Sequence, residues 1–138
     1  MDSYDLLIVG TGPAGVQAAL RARRAGRKTA VIEKMDLVGG TCIHRGTIPS
    51  KTLRQAVIDL SGFREWGIYD DGPERRPRIP MSDLRARCDR VIGAEALWQQ
   101  RLMKTRGIDV VAGSATFLDP HTFRVEGRDG TREVRGDT

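Results

Sequence analysis

Cysteine is scarce in this chain: Cys42 and Cys88 are the only two among 138 residues. Two thiols cannot build a disulfide scaffold or a tetrahedral cysteine-only zinc site, so no metal is expected. Aromatic residues make up 5% of the chain. Stacking platforms for single-stranded nucleic acid are correspondingly few. No run approaches the roughly 18–20 apolar residues of a membrane span, so no membrane partner is expected. The opening MDSYDLLIVG carries acidic residues where a secretory signal needs basic ones, and the expected location is the cytoplasm. No internal repeat is visible, and no second G-x-G-x-x-G follows Gly15.

What is present is ordinary globular usage, 39% hydrophobic and 30% charged residues, at a length of about one domain. The net charge is +5, carried by arginines spread along the chain. The densest group, Arg21, Arg23, Arg24, Arg27 and Lys28, has alanines between its members and reads as a solvated helix face. Attraction to an anionic cofactor is the economical use of the charge, and nucleic acid is not expected as a partner.

Residues 5–10 are a short apolar run ending in glycine, which predicts a strand buried on both faces. Pro13 suits a first helical turn, Ala14, Ala18, Ala19, Ala22 and Ala25 make a small-residue helix, and Gly26 stops it. Thr29 to Ile32 predicts a second buried strand ending at Glu33, completing a βαβ unit. Met35 to Gly46 reads as a glycine-rich loop. Pro49 opens a further helix with Leu53, Val57 and Leu60 on its apolar face. Residues 66–81 are a proline-rich, charged connector. Ser82 is the expected N-cap of a long helix over about 83–106, with Leu84, Cys88, Val91, Trp98 and Leu102 along one side. Lys104, Arg106 and Gly107 mark its end. Residues 108–112 predict a third strand. Ala115–Leu118, Thr122–Val125 and Arg132–Val134 follow as a β-meander with turns at Asp119-Pro120 and Asp129-Gly130.

Gly10-Thr11-Gly12-Pro13-Ala14-Gly15 is a G-x-G-x-x-G between a strand and a helix. Gly10 allows the tight turn, Gly12 the approach of a pyrophosphate, and Gly15 the close seating of helix on strand. Glu33, at the end of the second strand, is placed to accept ribose hydroxyls. A carboxylate there disfavours a 2′-phosphate, which leaves FAD or NAD as the dinucleotide.

The second block runs Val38-Gly39-Gly40-Thr41-Cys42-Ile43-His44-Arg45-Gly46-Thr47-Ile48-Pro49-Ser50-Lys51. With the first, it resembles the flavoprotein pyridine-nucleotide (disulfide) oxidoreductases, from about Tyr4 onward. The disulfide reductases of that family carry G-G-T-C-x-x-x-x-C-I-P-S-K, whose two cysteines form a redox disulfide. Cys42 matches the first and Thr47 stands in place of the second. The Si-specific NAD(P) transhydrogenase branch carries C-x-H-x-G-T-I-P-S-K, which His44, Gly46, Thr47, Ile48, Pro49, Ser50 and Lys51 match.

The resemblance implies an α/β fold: a glutathione-reductase-type, Rossmann-like FAD-binding domain of helices, parallel sheet and β-meander. It is incomplete, with residues 1–138 as its N-terminal part. The NAD(P) and dimerisation domains lie outside this chain, and the segment alone is expected to be inactive. FAD would be tightly bound by Gly10, Gly12, Pro13, Ala14, Gly15, Glu33, Lys34, Gly39, Gly40, Thr41, Cys42 and Lys51, with Ala115 on the adenine side by position. NAD and NADP would be substrates of the longer protein, a homo-oligomer that passes hydride from NADPH to NAD through the flavin. No side chain here need be catalytic. His44 reads as a loop histidine without chemistry, and Cys88 as a buried structural thiol. The alternatives are a dihydrolipoamide-dehydrogenase-like member with another acceptor, and a non-catalytic flavin- or nucleotide-binding module.

Overall fold

A computed structural model describes residues 2–65 and 79–138. Its elements run β1 (Asp2–Tyr4), β2 (Leu6–Val9), α1 (Pro13–Arg24), β3 (Thr29–Glu33), α2 (Gly40–His44), α3 (Thr47–Glu65), α4 (Met81–Thr105), β4 (Asp109–Ala112), β5 (Ser114–Asp119), β6 (Thr122–Gly127) and β7 (Gly130–Gly136). The strands form two sheets. β2, β3 and β4 are parallel, with β3 central. The other sheet has the order β1-β7-β6-β5; its last three strands are the antiparallel meander, and β1 joins β7 in parallel.

β3 is the centre of the molecule because its five residues, Thr-Ala-Val-Ile-Glu, are all buried. Strand alternation sends Ala30 and Ile32 to one face and Val31 to the other. Ala30 and Ile32 join Tyr4, Leu7, Val111, Phe123, Val125 and Val134 between the two sheets. Val31 joins Val16 and Ala19 of α1, Met103 of α4, Val38 and Ile108 under the helices. The result is three layers, helices over parallel sheet over meander, as the resemblance implied. α3 packs on the N-terminal half of α4, where Asp59 pairs with Arg87 at 3.6 Å and the Cys88 thiol points at the Pro49 carbonyl, 3.8 Å away.

Several expectations need correction. β2 is not buried on both faces: Val9 is 58% exposed, and Leu6 and Ile8 are half-buried, because β2 lies at the edge of its three-stranded sheet. β1 was not foreseen; three residues show no periodicity of their own, and the partner that makes them a strand is β7. After β7 the chain returns to β2, where Leu7 N–H donates to the Thr138 carbonyl at 2.9 Å. The glycine-rich stretch is not all loop, since α2 forms within it. α3 begins at Thr47, so Pro49 sits inside its first turn rather than opening it. Its expected apolar face is open: Leu53 and Val57 are 37% and 56% exposed, and Ala56 is buried instead. Pro80, not Ser82, is the N-cap of α4; the Ser82 hydroxyl faces the Asp83 carboxylate. The buried residues of α4 are Cys88, Ala96 and Met103, and Trp98 is 61% exposed, one position out of phase with them. The connector lies outside the described residues except for 79–81.

The helix ends follow expectation. Gly26 and Gly107 take positive φ just past α1 and α4. Arg23 of the basic group donates to the carbonyls of Arg27 and Arg106, so this guanidinium serves helix ends.

Ile32→Ala should lower stability by about 2–5 kcal/mol, the usual range for emptying a fully buried aliphatic site. Trp98→Ala should change it by only about 0.5 kcal/mol, as at other open surface positions. Urea midpoints of the two variants check both; equal losses would mean that the α4 stripe is buried after all.

Candidate functional site

The site is built where β2 and β3 end side by side. The last ladder bond is Gly10 N–H to the Ile32 carbonyl, 2.7 Å. Beyond it the chain turns at Gly10, whose φ of +94° is a conformation that L side chains rarely adopt. Gly12 then caps α1, with Pro13 at the first helical position. No side chain caps this helix and no acidic residue stands in its first turn. The amide groups at its start therefore keep their donors for an anion.

The glycines here divide by what a Cβ would meet. At Gly15 it would lie 2.1 Å from the Gly10 carbonyl oxygen, so only glycine lets α1 sit this close to the turn. At Gly40 it would lie 2.8 Å from Gly12 Cα. The two glycine blocks, 28 residues apart at these positions, are thus packed backbone on backbone. At Gly10 and Gly12 a Cβ would meet nothing within 4 Å. The protein does not need that space for its own packing. It forms an open cradle at a helix N-terminus, the arrangement that suits a pyrophosphate.

Glu33 stands beside the cradle, 5% exposed. Its Oε2 accepts the Thr11 N–H at 2.8 Å and, in a short contact, the Thr11 hydroxyl. Its Oε1 accepts the Met35 N–H at 2.9 Å. The Thr11 hydroxyl in turn accepts the Gly39 N–H at 2.8 Å. Burial alone would raise this carboxyl, but donation from Thr11, Met35 and Lys34 outweighs it and holds the group below the usual carboxylate range. The charge is therefore kept at neutral pH. A fixed carboxylate of this kind can accept sugar hydroxyls and repel a phosphate.

The other anticipated residues differ in how near they lie to the turn. Gly39, Gly40 and Thr41 sit on the loop and helix that meet the turn; Gly39 is buried and Thr41 exposed. Pro13 and Ala14 open α1 and are exposed. Ala115, on β5, is half-buried and packs against the inter-sheet core, two residues after Gly113, whose N–H donates to the Glu33 carbonyl at 2.8 Å. Lys34 and Lys51 are exposed and make no described contact with the turn. Cys42 is half-buried and Cys88 buried, and both are free thiols. Thr47 begins α3 and is exposed. The His44 ring donates from Nε2 to the Val38 carbonyl at 2.9 Å, closing the loop ahead of α2. Thr11 was missed. It fills an x position of the motif, and the signal was a hydroxyl between two glycines, facing a carboxylate across the sheet end.

A family model described as pyridine nucleotide-disulphide oxidoreductase matches residues 4–137. The chain belongs to that family. It is 40% identical over 127 residues to a soluble pyridine nucleotide transhydrogenase of Mycobacterium bovis, covering 91% of this chain and 27% of the relative. It is also 40% identical over 131 residues to the protein of that name from Pectobacterium atrosepticum, covering 95% of this chain and 28% of the other. The fold matches the HOCl-induced flavoprotein disulfide reductase RclA of Escherichia coli, solved as a Cu(II) complex. There the TM-score is 0.79 at 29% identity, over 99% of this chain and 27% of that one. The chain thus spans about a quarter of the relatives it matches. Among the described residues, no helix is long and apolar enough to cross a membrane.

The lowered carboxyl of Glu33 gives a pH signature. Its folded value lies below the ordinary 4.5, so it stabilises the fold above that pH. The contribution is lost as pH falls through the folded value. Glu33→Gln should therefore lag the parent most at pH 7, and the gap should narrow as pH falls below the ordinary 4.5, measured by urea midpoints on both sides of it. A gap of constant size would show that the carboxylate charge contributes nothing.

Proposed function

We propose that this chain is the FAD-holding portion of a pyridine-nucleotide oxidoreductase that passes hydride from NADPH to NAD. The observation that carries the reading is the open backbone cradle at Gly10 and Gly12, flanked by the ionised Glu33. In this reading the start of α1, through Gly10, Gly12, Pro13, Ala14 and Gly15, holds the pyrophosphate. Glu33 holds the adenosine ribose and rejects a 2′-phosphate. Lys34, Gly39, Gly40, Thr41 and Cys42 line the cofactor, and Ala115 lies on its adenine side. Lys51 supplies positive charge toward the flavin and favours its anionic reduced form. Bound FAD supplies the hydride chemistry.

The transhydrogenase reading is favoured over disulfide reduction by Thr47. A dithiol relay needs two sulfurs with Cα atoms about 4.4–6.8 Å apart, and threonine offers a hydroxyl where the reductase pattern has its second sulfur. Cys88 is committed elsewhere, its thiol aimed at the Pro49 carbonyl. The 40% identity to proteins named soluble pyridine nucleotide transhydrogenase supports the same choice. The protein is proposed to act as a homo-oligomer in the cytoplasm, with nicotinamide nucleotides as its partners.

Two measurements test this. Denaturation followed by chromatography should release FAD from the parent and none from Gly12→Val. Because a Cβ at Gly12 meets no protein atom, that variant should stay folded to within about 1 kcal/mol, a loss typical of an altered helix cap. Gly15→Ala should instead lose stability outright. Recovery of stoichiometric NAD without flavin would overturn the cofactor assignment. Second, Cys42→Ser in the protein should keep most hydride transfer between nicotinamides, and lipoamide should not be reduced. Robust lipoamide reduction abolished by Cys42→Ser would return the protein to the disulfide-reductase branch.

A further inference from the structure

Thr11 is wholly buried, lies at an x position of the glycine motif, and touches both partners that define the cradle. Its backbone and side chain do different things. The N–H to Glu33 is available to any residue at that position. The hydroxyl is not: it donates to Glu33 Oε2 and accepts the Gly39 N–H, so one oxygen joins the end of β3 to the second glycine block. Gly39 is followed by Gly40, whose backbone rests on Gly12. The hydroxyl therefore closes a ring through the turn, the carboxylate and the loop.

We propose that the Thr11 hydroxyl is a positioning group for cofactor binding, holding the Glu33 carboxylate in register with the glycine cradle. A carboxylate offers about four acceptor sites. Two of them, on Oε2, are taken by Thr11 and a third, on Oε1, by the Met35 N–H, so the capacity Glu33 retains for a ribose hydroxyl is the remaining site on Oε1. Without the hydroxyl, Oε2 keeps only the Thr11 backbone N–H, the Gly39 N–H loses its acceptor, and the carboxylate is no longer tied to the second glycine block. This inference rests on the assignment of FAD to the cradle.

The test is FAD titration of the apo-protein, followed by flavin fluorescence, with thermal melts of each apo-form alongside. Thr11→Val keeps the shape and removes the hydroxyl. It should weaken FAD binding about 10- to 100-fold, the loss seen when the group that orients a metal ligand is removed. Thr11→Ser should bind within about threefold of the parent, less than half a decade of affinity. Because Thr11 acts through Glu33, adding Thr11→Val to Glu33→Gln should cost less than about threefold further, a coupling that a double-mutant cycle resolves. Should the valine variant fail to fold, Thr11→Ala enters the same cycle. Unchanged affinity in a folded hydroxyl-free variant, or an equal loss in both backgrounds, would overturn the assignment while leaving the FAD reading intact. A parent that binds no FAD would overturn both. A lower melting temperature with unaltered FAD affinity would mark Thr11 as structural only and would also overturn it.

Discussion

A buried negative charge is the constraint around which this chain is arranged. Among the described residues, Glu33 ends the only strand whose residues are all buried, and an ionised carboxylate there is costly unless donors surround it. The donors come from two places: Thr11 on the first turn, and Lys34 and Met35 just beyond β3. Each source fixes a piece of chain. The turn after β2 is pinned to the end of β3, and the loop after β3 folds back toward α1. Through the Thr11 hydroxyl it is also tied at Gly39. Taking one member away leaves the others with unmet polar groups, so the cluster stands or falls as a unit.

The layers follow from the same strand. Alternation along β3 separates two cores, one against the helices and one against the meander, and the parallel sheet between them is only three strands wide. The meander does more than cover a face. Gly113, just ahead of β5, donates its N–H to the Glu33 carbonyl, and β7 accepts β1 and returns the chain to the edge of β2. Both ends of the meander are therefore attached to the strands that carry the site. The helices contribute closeness: Gly15 lets α1 settle onto the turn, and Ala19 and Val16 bury its inner face.

Much of this was legible in the residues. The βαβ unit, the central strand, the meander and its turns, and the glycine helix stops all follow from local rules that do not depend on distant contacts. What was not legible depended on tertiary partners. β1 is a strand only because β7 is beside it. Val9 is exposed because β2 lies at an edge. Trp98 carries the right residue type for a core stripe but the wrong phase, since Ala96 and Met103 set the buried line of α4. Leu53 and Val57 match helical spacing, yet among the described residues the buried contact of α3 falls to Ala56. The site shows the same division. The glycine pattern and Glu33 stand out because their spacing has a physical reason. Thr11 does not, because its role arises only when residues 22 and 28 positions away come within hydrogen-bond reach.

The glycines carry the argument from fold to ligand. A pattern such as G-x-G-x-x-G treats its members alike, but the geometry separates them by cause. Gly15 and Gly40 are glycine because protein atoms occupy the place of a side chain. Gly12 has an ordinary φ of −64° and open space where its Cβ would be, so neither backbone strain nor packing demands glycine there. In the proposed reading, the open space at this position, at an uncapped helix start beside a fixed carboxylate, is where the cofactor approaches. Such a ligand would meet Glu33 with hydroxyls on one side and the helix start with negative charge on the other. A dinucleotide with an unphosphorylated ribose, as proposed, carries both groups in one molecule.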